Sequence, residues 1–600
     1  MSGETITVPD GRFLVIGCGS IGKRHLSNLK QLGVTDLAGF DVREDRRREV
    51  EERFGVPVFA ELASALSQAV RVALVCTPTY LHLHHALMAA RANCHLFIEK
   101  PIAVVTEGLD ELLEEVKRRR LVTFVACNFR FHPGLRHVKA LLDKGAIGKV
   151  ISARAQFGQY LPNWHPWEDY RQGYSAQRLM GGGVILDRIH EFDYVRWLLG
   201  EVAEVYAMMG HLSHLEIDCE DTAEILLRFY SGAIGSIHLD YIRRESDCSL
   251  EILGEEGNIQ WNYKDHSVRW YLETEAKWQS LQFPLYNVDD MYVAELRHFL
   301  TCLSGVGQIE CSAWGGKKVL QIAQAVKQSS LVKRPIAIEV SRDSSLIAAI
   351  IQARTNSKRL DKKVLADIAG KPMVQWVIER VKAAVFVNKV ILATTVDKSD
   401  DELATFAKTL GVEVFRGSEN DVLDRYYQAA RFYSVDIVVR ITADCPLLDP
   451  TLIDKVLTVF LEGDCDYASL ARPISTFPDG LDSEVFYFEG LERAWKEATF
   501  ASEREHVTPY IWTHPETFGV RRINYPEDLS AMRWTVDEER DLQFVREVYR
   551  HLGDGKERTF RMSKVLKVLE RDPKLLQINQ GIERDSEYKN LIKKEGKGNV

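Results

Sequence analysis

The sequence predicts an α/β protein with two nucleotide-binding units in one chain, and three observations carry that expectation. An apolar strand pattern, Arg12 to Ile16, runs directly into Gly17-Cys-Gly19-Ser20-Ile21-Gly22 and then a helix through Leu32. A strand-helix pattern starts afresh at Leu346, where the apolar run Leu346 to Ile351 feeds a loop carrying Arg354, Lys358, Arg359, Lys362 and Lys363 before an amphipathic helix, Met373 to Ala384. Between them, beyond Val150, apolar and polar residues alternate in short runs, as in half-buried antiparallel strands. The expected organisation is a Rossmann domain over 1–125, a domain with a mostly antiparallel sheet over 126–340, a polar link over 341–345 and a further α/β domain over 346–600.

Length agrees with this division, since 600 residues exceed what one core serves and allow about three or four domains. Net charge is −9, with 27% charged and 46% hydrophobic residues, so a broad nucleic-acid-binding face is excluded and basic sites must be local. Ten scattered cysteines include no C-x-x-C pair, which argues for reduced thiols rather than a disulfide framework or zinc ribbon. The opening MSGETITVPDGR lacks a basic-then-apolar signal pattern, and no apolar stretch reaches spanning length. A cytoplasmic protein without membrane insertion is expected.

The glycine motif has the context that dinucleotide binding requires. The first glycine permits the tight turn, the second lets backbone approach a pyrophosphate, and the third lets helix and strand pack closely. A second strand, Leu37 to Phe40, ends in Asp41, where an acid can take ribose hydroxyls and repel a 2′-phosphate, so NAD is favoured over NADP; Arg43 nearby weakens that preference. Further parallel strands are expected at Val72 to Cys76 and Leu96 to Ile98. The second ends in Glu99-Lys100-Pro101, with Lys100 facing the crevice where a nicotinamide would lie. His82, His84 and His85 lack a metal-ligand partner at suitable spacing and read as capping and surface residues. Asp187, His190 and Asp193 recur every three residues, which stacks them on one face of an expected helix. Asn128 to His132, with Arg130, and Trp164 to Trp167 can supply sugar contacts or pack in the core.

With GCGSIG, His25, Glu99-Lys100-Pro101 and the Asp187–His190 segment in place, residues 1 to about 340 resemble the glucose–fructose oxidoreductase/inositol dehydrogenase (Gfo/Idh/MocA) family. The resemblance implies Lys100 and His190 as a catalytic pair at a sugar hydroxyl or ketone, with Asp187 assisting. It also implies Gly17, Gly19, Ser20, Ile21, Gly22, Asp41 and Glu99 as the cofactor-binding set. Many members place the aspartate four residues before the histidine; here the interval is three, which leaves the role of Asp187 open. Hydride transfer from a carbinol needs a base for the proton and a cation for the developing alkoxide, and this pair supplies both.

The second unit continues as alternating strands and helices: Lys389 to Ala393, Asp400 to Leu410, Val412 to Phe415, Asn420 to Tyr433 and Ile437 to Ile441, the last leading into Thr442-Ala-Asp444-Cys-Pro446. Its opening loop resembles the R-x-x-S-x-R-L-P-x-K-x-L signature of nucleotide-sugar cytidylyltransferases through Arg354, Ser357, Arg359, Leu360, Lys363 and Leu365. Within that group it resembles the spore-coat polysaccharide biosynthesis protein F family. The resemblance implies a Rossmann-like, GT-A-like nucleotidyltransferase fold, Arg354 and Lys363 as catalytic cations, Arg359 on the nucleotide, and Asp444 and Asp537 as Mg²⁺ ligands. Asp361 stands where the signature has proline, which removes a rigid φ, adds a negative charge and bears on CTP affinity. Phe477 to Glu484, Ser502 to Pro509 and the tail from Ser563, with its Leu576 to Gln580 stretch, also resemble this family, and the two internal segments are expected near the acceptor.

The resulting expectation is a bifunctional enzyme of surface polysaccharide precursor synthesis. An NAD-dependent sugar dehydrogenase is joined to a Mg²⁺-dependent cytidylyltransferase that couples a sugar acid or related acceptor to CMP from CTP. A homo-oligomer is expected. A glycosyltransferase-type second domain and a nucleotide-binding scaffold without chemistry remain as alternatives, and pyrophosphate release from CTP separates the three.

Overall fold

The computed structural model describes residues 8–164, 166, 168–283, 286–339, 345–357, 359–553 and 559–596. His165, Trp167, Lys358, the N-terminal seven residues, most of the polar link and the last four residues lie outside them. The chain divides into two compact units, 1–339 and 340–600.

In the first unit, strands β1 (Arg12–Ile16), β2 (Leu37–Phe40), β3 (Val58–Phe59), β4 (Val70–Val75), β5 (His95–Ile98) and β6 (Thr123–Val125) form one sheet in the order β3-β2-β1-β4-β5-β6. Every pairing is parallel. Strands covered on both faces must be apolar throughout, and Phe13, Leu14, Val15 and Ile16 are fully buried. The order reverses beside β1, and the glycine motif lies at its carboxyl end, where open sheets bind ligands.

A nine-stranded sheet follows, from β7 (Val150–Gly158), β8 (Val202–Gly210), β9 (Thr222–Phe229), β10 (Ile234–Asp240), β11 (Asp247–Gly254), β12 (Gly257–Asn262), β13 (Ser267–Leu272), β14 (Lys277–Gln282) and β15 (Ile336–Ala337). Its order is β14-β13-β12-β11-β7-β10-β9-β8-β15, and only β7 with β10 is parallel. Burial in β9 alternates residue by residue, as one-faced packing requires. The hairpin run β12 to β14 extends the sheet beyond the expected strands. In β14 nearly every residue is exposed, so little apolar alternation marks it in the sequence.

The segment around Asp187 differs from the expected single helix. A short turn of helix spans Val184–Asp187, Arg188 breaks it at φ −99° and ψ 39°, and a new helix runs His190–Leu199. Asp187 and His190 therefore belong to different elements. Asp193 points elsewhere, its carboxylate forming a two-pronged pair with Arg130 at 2.7 and 2.9 Å.

The second unit begins with β16 (Ile347–Gln352). It continues through the small pair β17 (Asp367–Ile368) and β18 (Lys371–Pro372), then β19 (Lys389–Thr395), β20 (Glu413–Gly417), β21 (Ile437–Thr442), β22 (Tyr467–Ser469), β23 (Glu484–Tyr487) and β24 (Val520–Arg522). Its main sheet has the order β20-β19-β16-β21-β23-β22-β24, parallel from β20 to β21 and antiparallel where β23 joins. The helix Met373–Lys382 buries Met373, Val374, Trp376, Val377, Ile378 and Val381. All ten cysteines are free and buried, and no helix among the described residues is long and apolar enough to cross a membrane.

Candidate functional sites

In the first unit the three motif glycines have separate reasons. A Cβ on Gly22 would stand 2.0 Å from the Gly17 carbonyl oxygen, and Gly17 itself has φ +98°. Gly19, by contrast, meets nothing closer than an Arg46 guanidinium nitrogen at 3.7 Å, so its outer side is open for a phosphate. Asp41 closes β2 and accepts the backbone N–H groups of Cys18 at 2.8 Å and Arg43 at 2.9 Å. The cation beside its carboxylate is Arg46 at 3.6 Å; the Arg43 side chain turns outward to Asp45. Arg46 carried no signal in the sequence because only the helix Glu44–Phe54 brings it back over the glycine turn.

Lys100, at the carboxyl end of β5, donates to the Asp187 backbone oxygen at 2.9 Å and lies 3.4 Å from Asp187 Oδ1. Asp187 is buried and also accepts from Tyr174 at 2.5 Å, Ser175 at 2.8 Å and Tyr241 at 3.0 Å. Burial alone would raise its carboxyl, but the Lys100 ammonium and the Tyr174 hydroxyl outweigh burial and hold it below the usual range. His190 is buried with its ring 4.8 Å from Phe129. Burial, then Lys100 and Arg188, keep its imidazole well below its ordinary pKa, so it is a neutral base at pH 7. Tyr174 and Tyr241 were missed by sequence reading, because they reach Asp187 from a loop and from the end of β10.

Several expected contacts are committed elsewhere. Arg130 is buried against Asp193 and the Glu310 carbonyl, and His132 caps the helix Pro133–Asp143 by accepting from Gly134 N at 3.0 Å. Trp164 packs edge-on to Phe157 and Tyr241. His82 is not a surface residue: it is buried between the Thr77 and Pro101 carbonyl oxygens, at 2.6 and 2.7 Å, and ties the β4 loop to the Lys100 loop. His85 is buried too, and only His84 of the three is exposed. Glu99 holds His25 Nε2 at 2.6 Å, and Glu295 lies against that pair with burial, then Glu99, pushing its carboxyl well up.

In the second unit a cavity of about 950 Å³ opens at the carboxyl ends of β16 and β21. Arg354, Arg359, Lys363, Asp444 and Asp537 all line it. The loop after β21 is held to the Arg533–Asp537 stretch by the bond from Val536 N to Asp444 O at 2.9 Å, which brings the two carboxylates together. Lys363 Nζ lies 2.9 Å from Asp444 Oδ2 and 2.9 Å from Asp537 Oδ1. Burial opposes the charge on Asp444, but the Lys363 ammonium prevails and its carboxyl falls to about 2. Asp361 is exposed and is not part of the cavity wall, and Lys362 reaches outward to Glu402 at 3.5 Å. The negative charge that replaces proline therefore faces solvent.

The expected acceptor segments also reach this cavity. Asp479, Asp482, Glu484, Arg504 and His506 line it, joined by Arg472 and by Asp585 and Tyr588 from the tail. Arg533 joins the ends, bonding Asp479 at 2.8 Å, Asp537 at 2.7 Å and Asp541 at 3.0 Å. Asn579 is buried and donates to the Arg533 carbonyl at 2.9 Å, which ties the tail to the Arg533–Asp537 stretch. Arg472 and Arg584 were not singled out by sequence; each finds its aspartate partner only through folding, Arg472 with Asp585 and Arg584 with Asp482.

Residues 11–127 match the oxidoreductase family with an NAD-binding Rossmann fold, 135–260 match the Gfo/Idh/MocA C-terminal domain, and 348–574 match the cytidylyltransferase family. The myo-inositol 2-dehydrogenase of Thermotoga maritima is 33% identical over 55% of this chain and 98% of its own length. The chain joins a Gfo/Idh/MocA oxidoreductase to a cytidylyltransferase. On the cytidylyltransferase side, an uncharacterised protein of Methanocaldococcus jannaschii is 40% identical over 40% of this chain and 97% of its own length. The spore coat polysaccharide biosynthesis protein SpsF of Bacillus subtilis is 30% identical over 38% of the chain and 95% of its own length. Both parts of this Gfo/Idh/MocA–cytidylyltransferase fusion are enzymes by family.

Proposed function

We propose that the oxidoreductase unit interconverts a sugar hydroxyl and ketone with NAD(H), and that the second unit couples a sugar acid or related acceptor to CMP from CTP, releasing pyrophosphate. The setting is the synthesis of surface polysaccharide precursors. The observation that carries the second activity is the convergence of Asp444 and Asp537 on one ammonium at the floor of a cavity edged by Arg354 and Arg359. Two hard oxygen donors focused on a point already occupied by positive charge fit a Mg²⁺ ion, and when bound it would neutralise phosphate charge. Arg354, Arg359 and Lys363 then position the triphosphate, and no covalent nucleophile on the protein is required.

In the first unit, the open side of Gly19 and the closely packed Gly22 support a dinucleotide, whose nicotinamide is the hydride carrier. Neutral His190 accepts the hydroxyl proton, and Lys100, oriented by Asp187, stabilises the developing alkoxide. Asp41 supports NAD over NADP, with Arg46 as the opposing charge.

Pyrophosphate release from CTP with Mg²⁺ and a panel of sugar acids tests the second activity. Wild type should release it with at least one acceptor, and Asp444→Ala or Asp537→Ala should reduce release by about a hundredfold or more, as loss of a metal ligand implies. Unchanged release in both variants would remove the metal assignment. Transfer of the sugar from a preformed nucleotide sugar to an acceptor hydroxyl with release of the nucleotide, and no pyrophosphate from CTP, would favour a glycosyltransferase.

A further inference from the structure

We propose that metal and nucleotide enter the second unit by an exchange of partners. Lys363 and Arg359 close the metal site while nucleotide is absent, and the triphosphate draws both onto itself, so a divalent cation reaches Asp444 and Asp537 only with nucleotide. This rests on the metal assignment made under Proposed function.

The argument begins with the three protons of the Lys363 ammonium. They face Asp444 Oδ2 at 2.9 Å, Asp537 Oδ1 at 2.9 Å and the Val536 carbonyl oxygen at 3.2 Å, which satisfies the group completely. Arg359 adds a second cation to Asp537 Oδ1 at 2.9 Å, while Arg533 holds Oδ2 at 2.7 Å. Three cations thus share the one Asp537 carboxylate. A divalent ion placed on the same oxygens would meet an ammonium at near contact, and like charges at that distance repel strongly in a partly buried site.

The three cations differ in what else holds them. Arg533 is nearly buried and bonded to Asp479 and Asp541 as well, so it is part of the scaffold. Arg359 is about one-third exposed, and its other partner is Glu587 at 3.4 Å. Arg359 and Lys363 both belong to the loop after β16, and both line the cavity beside Arg354. A triphosphate in that cavity offers these two groups several oxygens and more negative charge than a single carboxylate. Their departure leaves Asp537 Oδ1 and Asp444 Oδ2 free, with Arg533 still fixing the Asp537 rotamer.

The test measures metal binding without turnover. Free Mn²⁺ is quantified by electron paramagnetic resonance during titration of the full chain in the absence of nucleotide, for wild type, Lys363→Met, Arg359→Gln and Lys363→Met/Asp444→Asn. Lys363→Met should bind one Mn²⁺ at least tenfold more tightly than wild type, and adding Asp444→Asn should abolish that gain. Arg359→Gln changes a partly exposed side chain and keeps the fold, and it should give a smaller gain of a few fold. Equal Mn²⁺ affinity in wild type and both single variants overturns the exchange but leaves the metal site standing. Absence of any Asp444-dependent site in Lys363→Met overturns the metal assignment and the exchange with it.

Discussion

Asp187→Asn probes the first site most directly, because the substitution keeps the shape of a buried side chain and removes its charge. In the wild type, four donors converge on its two oxygens: Tyr174 and Lys100 on Oδ1, Ser175 and Tyr241 on Oδ2. The hydroxyl groups can rotate to accept from an amide nitrogen, so their bonds are partly recoverable. Lys100 has no such freedom, since an ammonium only donates. It keeps the Asp187 backbone oxygen at 2.9 Å and can still meet an amide oxygen at the Oδ1 position, but it loses the negative charge that holds it there. A hydrogen bond to a charged group contributes about 1.5–3 kcal/mol, and its loss corresponds to about a 10- to 150-fold fall in hydride transfer if Lys100 acts through that orientation. The assay is single-turnover formation of NADH with whichever polyol or sugar the wild type oxidises, alongside NADH binding, which should be unchanged. Lys100→Ala and His190→Ala should each lower the same rate by about a hundredfold or more. The Asp187→Asn and Lys100→Ala effects should not add in the double variant, because one acts through the other. Wild-type transfer in Asp187→Asn, or full additivity, would refute the positioning role.

Three further outcomes are expected. Titration should show tighter binding of NAD(H) than NADP(H), and Asp41→Ser should narrow the gap by exposing Arg46 to the 2′-phosphate; tighter NADP(H) binding by wild type would refute the assignment of Asp41 to the ribose. Asp454 is raised from 3.8 to about 6 by burial, although Val385 and Phe386 both donate to it. The folded state therefore binds this proton more readily than the unfolded chain, so its cost, about 3 kcal/mol, is full above pH 6 and is relieved as pH falls towards 4. Asp454→Asn keeps one oxygen for both N–H groups and should stabilise the second unit to denaturant at pH 7, with no gain at pH 4; a gain independent of pH would contradict this account. Finally, residues 346–600 expressed alone should unfold in a single cooperative transition by circular dichroism, because both ends of β16 are tied within the unit, Leu346 N to Asp436 at its start and Gln352 O to Ala443 N at its end. A non-cooperative melt would show that this unit depends on the rest of the chain.

Local order carried much of this protein in readable form. The Rossmann strand positions follow from apolar runs bounded by turns, and the glycine motif is legible because Gly17 needs a positive φ and Gly22 packs on the Gly17 carbonyl within the same short turn, with Gly19 open between them. The loop cations Arg354, Arg359 and Lys363 and the aspartates Asp444 and Asp537 were picked out through a signature resemblance, and the fold brings all five to one cavity. Tertiary structure decided which charges meet. Asp187, His190 and Asp193 share a three-residue spacing, yet the break at Arg188 separates the first two, and Arg130, from 63 positions away, claims the third. His82 looked like a surface histidine until the loops at Thr77 and Pro101 closed over it. Arg46, Tyr241, Arg472 and Arg584 carry no motif, since their partners lie on other elements and any one of many arginines or tyrosines has the same local pattern. Lys363 was visible as a phosphate-binding cation, but that its ammonium fills the space between Asp444 and Asp537 depends on distances of 2.9 Å across 81 and 174 residues of chain. Periodicity reports how a segment meets its neighbours on one face, whereas the pairing of buried charges is set by long-range geometry, where a shift of an ångström decides whether a contact exists.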